Sequence, residues 1–189
     1  MRVNVVGSSG SGKSTLAAAI ARRTGVPRLE LDAIHHLPRW QPRPLEDFRD
    51  EISRFVAGDA WVIDGNYTKA RDVIWKRADT VVFLDLPRPT VMRQLILRSL
   101  SRAIRRTELW NGNRESLRAL FSPNPENNVV LWSWNRYSVN RTRFDDARAD
   151  LAWSHIDFVR LRSHARATEW LEGCGVGEHS AGTPHPQVR

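Results

Sequence analysis

The segment Gly7-Ser8-Ser9-Gly10-Ser11-Gly12-Lys13-Ser14 fits the spacing GxxxxGK[ST], and it lies between the β-branched run Arg2 to Val6 and the alanine- and leucine-rich run Leu16 to Arg23. A strand, loop and helix of this kind can wrap an anion. The glycines let the backbone curve around it, and the helix N-terminus adds amide donors and a favourable dipole. In such a loop Lys13 would reach the β- and γ-phosphates of a nucleotide, and the Ser14 hydroxyl would serve Mg2+. A magnesium-associated carboxylate is then expected at the end of a neighbouring strand. Asp64 closes WVID, Asp85 closes VVFLD and Asp32 closes RLELD, which puts all three at the carboxyl edge of a parallel sheet, where open α/β folds bind ligands. Asp64 and Asp32 read as functional. Asp85, two residues before Pro87, also reads as a turn or cap residue.

Cations are unevenly distributed. From Arg93 to Arg143 the chain has ten arginines against Glu108, Glu115 and Glu126, which is +7 of the total net charge of +8. Such a balance suits anionic partners: nucleotides, phosphates or nucleic acid. Arg98, Arg102 and Arg105 recur at i, i+4, i+7 and so share a helix face, with Arg106 beside them. Phosphoryl transfer spreads negative charge over the transferred oxygens, so arginines on a hinged segment could supply charge there and exclude water on closing. Arg102 and Arg106 are the pair assigned to that task, with Arg136 and Arg143 flanking the far side.

The elements that must position these groups follow from periodicity. Strands are expected at Arg2 to Val6, Arg28 to Leu31, Trp61 to Asp64, Thr80 to Leu86 and Ile156 to Leu161, alternating with helices at 20- to 30-residue spacing. That alternation argues for an α/β fold around a parallel sheet. Phe48, Ile52, Phe55 and Val56 give a helix its apolar stripe, and Val130, Trp134 and Tyr137 give another, on which Trp134 and Tyr137 are expected to be buried. HHLPRWQPRP and SPNPENN read as irregular, and Ser163 as the cap of the last helix.

Length and composition set the limits. The 189 residues, 41% hydrophobic and 26% charged, suit one globular domain, expected over 1–172 with an insertion at about 98–128 and a disordered tail at 173–189. No window approaches the roughly 20 apolar residues of a membrane span. The loop at Gly7 interrupts the apolar core of any secretory signal, so export is not expected. The lone Cys174 rules out an internal disulfide and a cysteine zinc site, and it suits a reducing cytoplasm. His35 and His36 lie near Asp32, but one short loop supplies no convergent fourth metal ligand; they read as substrate contacts or as exposed.

Taken together, GSSGSGKST, LDAIHHLPRW, WVIDGNYTKAR, DTVVFLDLPRP and LWSWNRY resemble the topology-modulation-protein branch of the P-loop kinases, relatives of adenylate and shikimate kinases, over about residues 1–172. The resemblance implies a five-stranded sheet in the order 2-3-1-4-5, with Asp64 near Mg2+ and the insertion acting as an arginine-rich lid. It also implies ATP-dependent phosphoryl transfer to a small acceptor held between the region after Asp32 and the lid. ATP contacts are then expected from Gly7, Ser8, Ser9, Gly10, Ser11, Gly12, Lys13, Ser14, Thr15 and Arg98. Acceptor contacts are expected from Asp32, Trp40, Asn66, Tyr67, Arg136 and Arg143. The chain departs from adenylate kinases in reading DGNYTKAR where they carry a DGFPR-like arginine, which leaves open whether Arg71 takes that part. Ser163 to Ala165 falls where such kinases contact adenine. The alternative function is a nucleic-acid-binding ATPase, with the arginines on phosphates and Trp132, Trp134 and Tyr137 stacked on bases.

Overall fold

Both faces of the central strands are apolar, and each face has its own partners. Trp61, Ile63, Val81 and Phe83 belong to one buried cluster, while Val62, Val82 and Leu84 alternate with them into another. A sheet buried on both sides needs helices on both sides.

In the computed structural model, which describes residues 1–125 and 128–174, the chain runs through thirteen strands and α-helices. The first six are β1 (Arg2–Gly7), α1 (Lys13–Thr24), β2 (Arg28–Glu30), α2 (Leu31–His35), α3 (Leu45–Val56) and β3 (Trp61–Asp64). Next come α4 (Arg71–Trp75), β4 (Thr80–Leu84), α5 (Arg88–Arg105) and α6 (Leu117–Leu120). The last are α7 (Val129–Ala149), β5 (Asp157–Leu161) and α8 (His164–Gly173). All strand pairs are parallel, in the order β2-β3-β1-β4-β5. This is the α/β fold and strand order expected. The order places β1, which feeds the glycine-rich loop, between β3 and β4.

One face packs on α1 and α8 through Leu16, Ile20 and Ala167; the other packs on α3, α4 and the C-terminal part of α7 through Phe48, Ile52, Ile74 and Phe144. A third cluster, Leu86, Val91, Met92, Leu95 and Tyr137, joins α5 to α7, and the Tyr137 hydroxyl donates to the Leu86 carbonyl at 2.8 Å. Buried Asn4 of β1 is satisfied on both sides: it accepts from Trp75 Nε1 at 2.8 Å and donates to the Ile63 carbonyl at 3.1 Å. That pairing explains a tryptophan with a polar handle in the core.

Three expectations change. The second strand ends at Glu30, so Asp32 sits in the first turn of α2 and not at a strand end. Trp134 is 50% exposed despite its i, i+4 relation to Val130, because α7 buries Ser133 and Tyr137 in its place. The last helix continues to Gly173, and the Cys174 carbonyl accepts from Arg23 Nε at 2.7 Å, so the first residue of the expected tail is helical and the second is tied to α1. The remainder of that tail, 175–189, and Glu126 and Asn127 of SPNPENN lie outside the described residues.

Candidate active site

The glycine-rich loop is shaped by two left-handed glycines. Gly12 (φ 93°) precedes α1, and no side chain caps that helix, so its first amides are left for a ligand. Gly10 (φ 86°) lies against α5, where a Cβ would stand 2.8 Å from the Val91 carbonyl oxygen. Ser11 Oγ is buried with no hydrogen-bond partner, a polar atom turned into the loop and unsatisfied by protein. From the other side, Ser133 Oγ of α7 donates to the Ser9 carbonyl at 3.3 Å. Thr15 follows on α1 and is exposed.

Lys13 Nζ donates to the Ser8 carbonyl at 3.2 Å. Burial pulls its ammonium below the usual lysine range, while Asp32, Asp64 and Glu30 act to restore it and Arg98 lowers it further. Those five groups therefore share one electrostatic site. The Ser14 hydroxyl lies 3.3 Å from Asp64 Oδ1 and 3.4 Å from Glu30 Oε1. Glu30 pairs in register with Asp64 across β2 and β3, and Arg28 bridges the two carboxylates at 2.9 Å and 3.2 Å. Burial, and then Glu30, push the Asp64 carboxyl up to about 6, against the pull of Arg28 and Lys13. A hydroxyl beside two carboxylates is an oxygen donor set that fits Mg2+. No cluster of three or more histidine, cysteine or acidic residues able to hold a metal occurs among the described residues.

Asp32 faces a second compartment. The Tyr67 hydroxyl donates to its Oδ1 at 2.7 Å, and Oδ2 has no hydrogen-bond partner among the described residues. Burial, reinforced by Asp32, pushes the Tyr67 phenol well above its ordinary value, so it stays a donor. His35 packs against Phe48 and Tyr67 at ring-centre distances of 5.1 Å and 4.6 Å, and burial holds it and His36 below the usual histidine range. Neither histidine is exposed. Asn66 engages both amide atoms on Gly7, accepting from its N–H at 2.9 Å and donating to its carbonyl at 2.6 Å. That ties the DGNY segment to the start of the glycine-rich loop.

The arginines divide. Arg98 is turned inward and its Nε is buried without a partner; burial, with Arg102 beside it, lowers its guanidinium, while Glu115, Asp32 and Glu30 oppose the shift. Arg102 is paired with Glu115 at 3.1 Å, and Arg106 ends α5 in a left-handed conformation on the exposed side. Arg98 is thus on the inward side of α5 and Arg106 on the exposed side. Arg136 is exposed near the Trp132 ring, while Arg143 reaches Thr68 Oγ1 at 3.5 Å. Asp85 accepts ion pairs from Arg141 at 3.0 Å and Arg160 at 3.4 Å, so it is a buried counter-charge and not a cap.

Sequence reasoning missed Glu30, Arg28, Asn111 and Asn113. Asn111 Nδ2 donates to the Ala33 and His36 carbonyls, and Asn113 donates to the Leu37 carbonyl and accepts from the Trp40 N–H at 2.8 Å. Trp40 Nε1 reaches the Arg114 carbonyl at 3.4 Å. Asparagines in NGN carry no signal for this latch. The two-residue spacing of Glu30 from Arg28 puts both on one face of β2, but only strand register brings that face to Asp64.

No protein-family model matches this chain, and neither does any curated protein. Among solved structures it is similar to the shikimate kinase from Bacteroides thetaiotaomicron, with a TM-score of 0.54 and 12% sequence identity over 92% of this chain and 95% of that one. The likeness is one of fold: this chain shares the parallel five-stranded α/β fold of that kinase. No helix of the described residues is long and apolar enough to cross a membrane.

Proposed function

We propose that this protein is a P-loop kinase of the topology-modulation branch, moving the γ-phosphoryl group of Mg-ATP to a small acceptor: a nucleotide, a nucleoside or a hydroxylated metabolite. The observation that carries the reading is the Ser14 hydroxyl beside Asp64 and Glu30, next to Lys13 in the first turn of an uncapped helix. Gly7 to Thr15 would hold the triphosphate, and Ser14 with Asp64 and Glu30 would hold Mg2+. The ion supplies charge compensation on the phosphates when bound. Lys13 and Arg98 face the transferred group, and Arg102 joins them only by leaving Glu115. Asp32 Oδ2 accepts the acceptor's hydroxyl proton if the acceptor is an alcohol, while Tyr67 fixes Oδ1. A phosphate acceptor needs no such base.

Coupled ADP release from Mg-ATP across nucleoside monophosphates, nucleosides and hydroxylated metabolites tests this. One acceptor should raise turnover well above hydrolysis, and Lys13→Ala should abolish the gain. ADP release that no acceptor stimulates would overturn it.

The second reading is a nucleic-acid-stimulated ATPase. It is favoured by Trp132 and Trp134, which are exposed on α7 with Arg136 and Arg88 at their rings. Arg88 already covers the Trp134 ring at 3.4 Å, which weakens that platform. Steep salt dependence of DNA binding would favour this reading.

A further inference from the structure

Arg98 and Arg102 stand one turn apart on the same face of α5, and one carboxylate answers both. Glu115 accepts from Arg102 Nη1 at 3.1 Å, and its charge also acts on Arg98. The Glu115 side chain is only 15% exposed, and its second oxygen, Oε2, is buried with no hydrogen-bond partner among the described residues, as is Arg98 Nε. Two inward guanidinium groups against one carboxylate leave a positive excess and unpaired polar atoms, an arrangement that costs free energy until another anion joins it. The source of that anion is close by. Helix α5 passes against the glycine-rich loop, where a Cβ on Gly10 would stand 2.8 Å from Leu95 Cβ, and Arg98 and Arg102 follow Leu95 by about one and two turns.

Glu115 is carried by a braced segment. The Leu109 N–H donates to the Asn113 carbonyl at 2.7 Å, and Glu108 bridges Arg114 in antiparallel fashion, so residues 108–114 form a closed loop with Glu115 at its end. That loop is fastened to the chain after Asp32: Asn111 and Asn113 bond the Ala33, His36 and Leu37 carbonyls, and the Trp40 N–H donates to Asn113. Carbonyls in the last turn of a helix lack partners within it, and here the loop supplies them to α2. The position of Glu115 is thereby set by the residues that adjoin Asp32.

We propose that Glu115 is a positioning residue that holds Arg102 off the transferred phosphoryl group until an acceptor occupies the Asp32 side, and so favours transfer over hydrolysis. This rests on the kinase reading above and deepens it. The reaction held back is attack by water: its oxygen bonds to the γ-phosphorus, the bond to the β–γ bridging oxygen breaks with its electron pair leaving on ADP, and the water proton goes to solvent. With Arg102 on Glu115, the charge developing on the transferred oxygens lacks one of its cations, and water reacts slowly. An acceptor beside Asp32 displaces the 108–114 loop, Glu115 moves with it, and Arg102 is released to the phosphoryl group.

The test needs no acceptor. ADP release from Mg-ATP is measured on the whole chain for wild type, Glu115→Gln, Glu115→Asp and the double variant Glu115→Gln with Arg102→Gln. Glu115→Gln should raise the rate about fivefold or more, which is about 1 kcal/mol in the barrier. Glu115→Asp keeps the charge and should return a rate near that of wild type, and the double variant should lose the gain because the gain runs through Arg102. Asn113→Ala unfastens the loop while leaving both charges; it should raise the rate too, and it reads the gate if Glu115→Gln does not fold. A rate unchanged or lowered in both Glu115→Gln and Asn113→Ala, with Mg-ATP still bound, overturns the gate, as does a gain that survives Arg102→Gln. The kinase reading fails separately, and the gate with it, if the Gly10 and Gly12 amides of the wild type do not respond to Mg-ATP by NMR.

Discussion

Asn66 shows how one side chain can matter to the site without facing a ligand. Its amide closes both backbone groups of Gly7, where β1 turns into the glycine-rich loop. Removing it leaves a part-buried N–H and C=O unpaired, which costs about 1–3 kcal/mol. Asn66→Ala should lower urea-unfolding stability by that amount and weaken ADP binding, whereas unchanged ADP affinity would show that the loop keeps its shape alone. Tyr67→Phe removes one hydrogen bond to Asp32 and should raise the acceptor KM several-fold while leaving the KM for ATP unaltered. Equal effects on both would place Tyr67 in general packing. That Lys13 and Ser14 open a helix after a glycine-rich turn, and that Asp64 ends a strand, was legible in the sequence because local spacing and periodicity set both. Glu30 and Arg28 were not, because their closeness to Asp64 arises from strand register. The same limit applies to Arg106, which shares sequence spacing with Arg102 but lies past the point where α5 ends.

Among the elements, the segment between α5 and α6 is tied to the chain after α2 mainly by two asparagines. Asn113 is buried and bonds Leu37 and Trp40, while Asn111 bonds Ala33 and His36. Asn113→Ala should release this latch, raising amide exchange across residues 107–118 by about tenfold or more with the sheet unaffected. Protection as in the wild type would mean that ring contacts among His36, Trp40 and Trp110 hold the segment unaided. A second tie has a pH signature. Arg49 of α3 donates to both Asp72 carboxylate oxygens of α4 at 2.8 Å and 2.7 Å, and it holds the Asp72 carboxyl down to about 2. A carboxyl depressed in the folded state contributes stability above its ordinary value of 3.8, and that stability is lost as pH falls towards 2. The pair is on the surface, so the loss should be under about 1 kcal/mol. Arg49→Gln should abolish this part of the acid limb in thermal melts between pH 4 and 2. Helix stripes such as Phe48, Ile52 and Val56 were legible because one face is buried along its length. Trp134 was misjudged because periodicity cannot tell which of two adjacent faces of α7 meets α5.

For the whole molecule, alternation of strands and helices led to the parallel α/β sheet, and the strand order 2-3-1-4-5 came with the family resemblance, not from periodicity. The excess of arginine was legible as a number only. In the fold it divides into inward Arg98, Arg102 paired with Glu115, a buried counter-charge network at Asp85, and exposed cations. The central claim proposed above is that the glycine-rich loop serves transfer to a small acceptor rather than hydrolysis driven by nucleic acid. The most direct test follows the label of γ-phosphate-labelled ATP with Mg2+ and small hydroxylated metabolites or nucleoside monophosphates as acceptors, in wild type and Asp32→Asn. The account predicts label on an acceptor, with transfer to an alcohol acceptor reduced at least a hundredfold by Asp32→Asn. Label found only as inorganic phosphate, released faster when DNA or RNA is added, would contradict it.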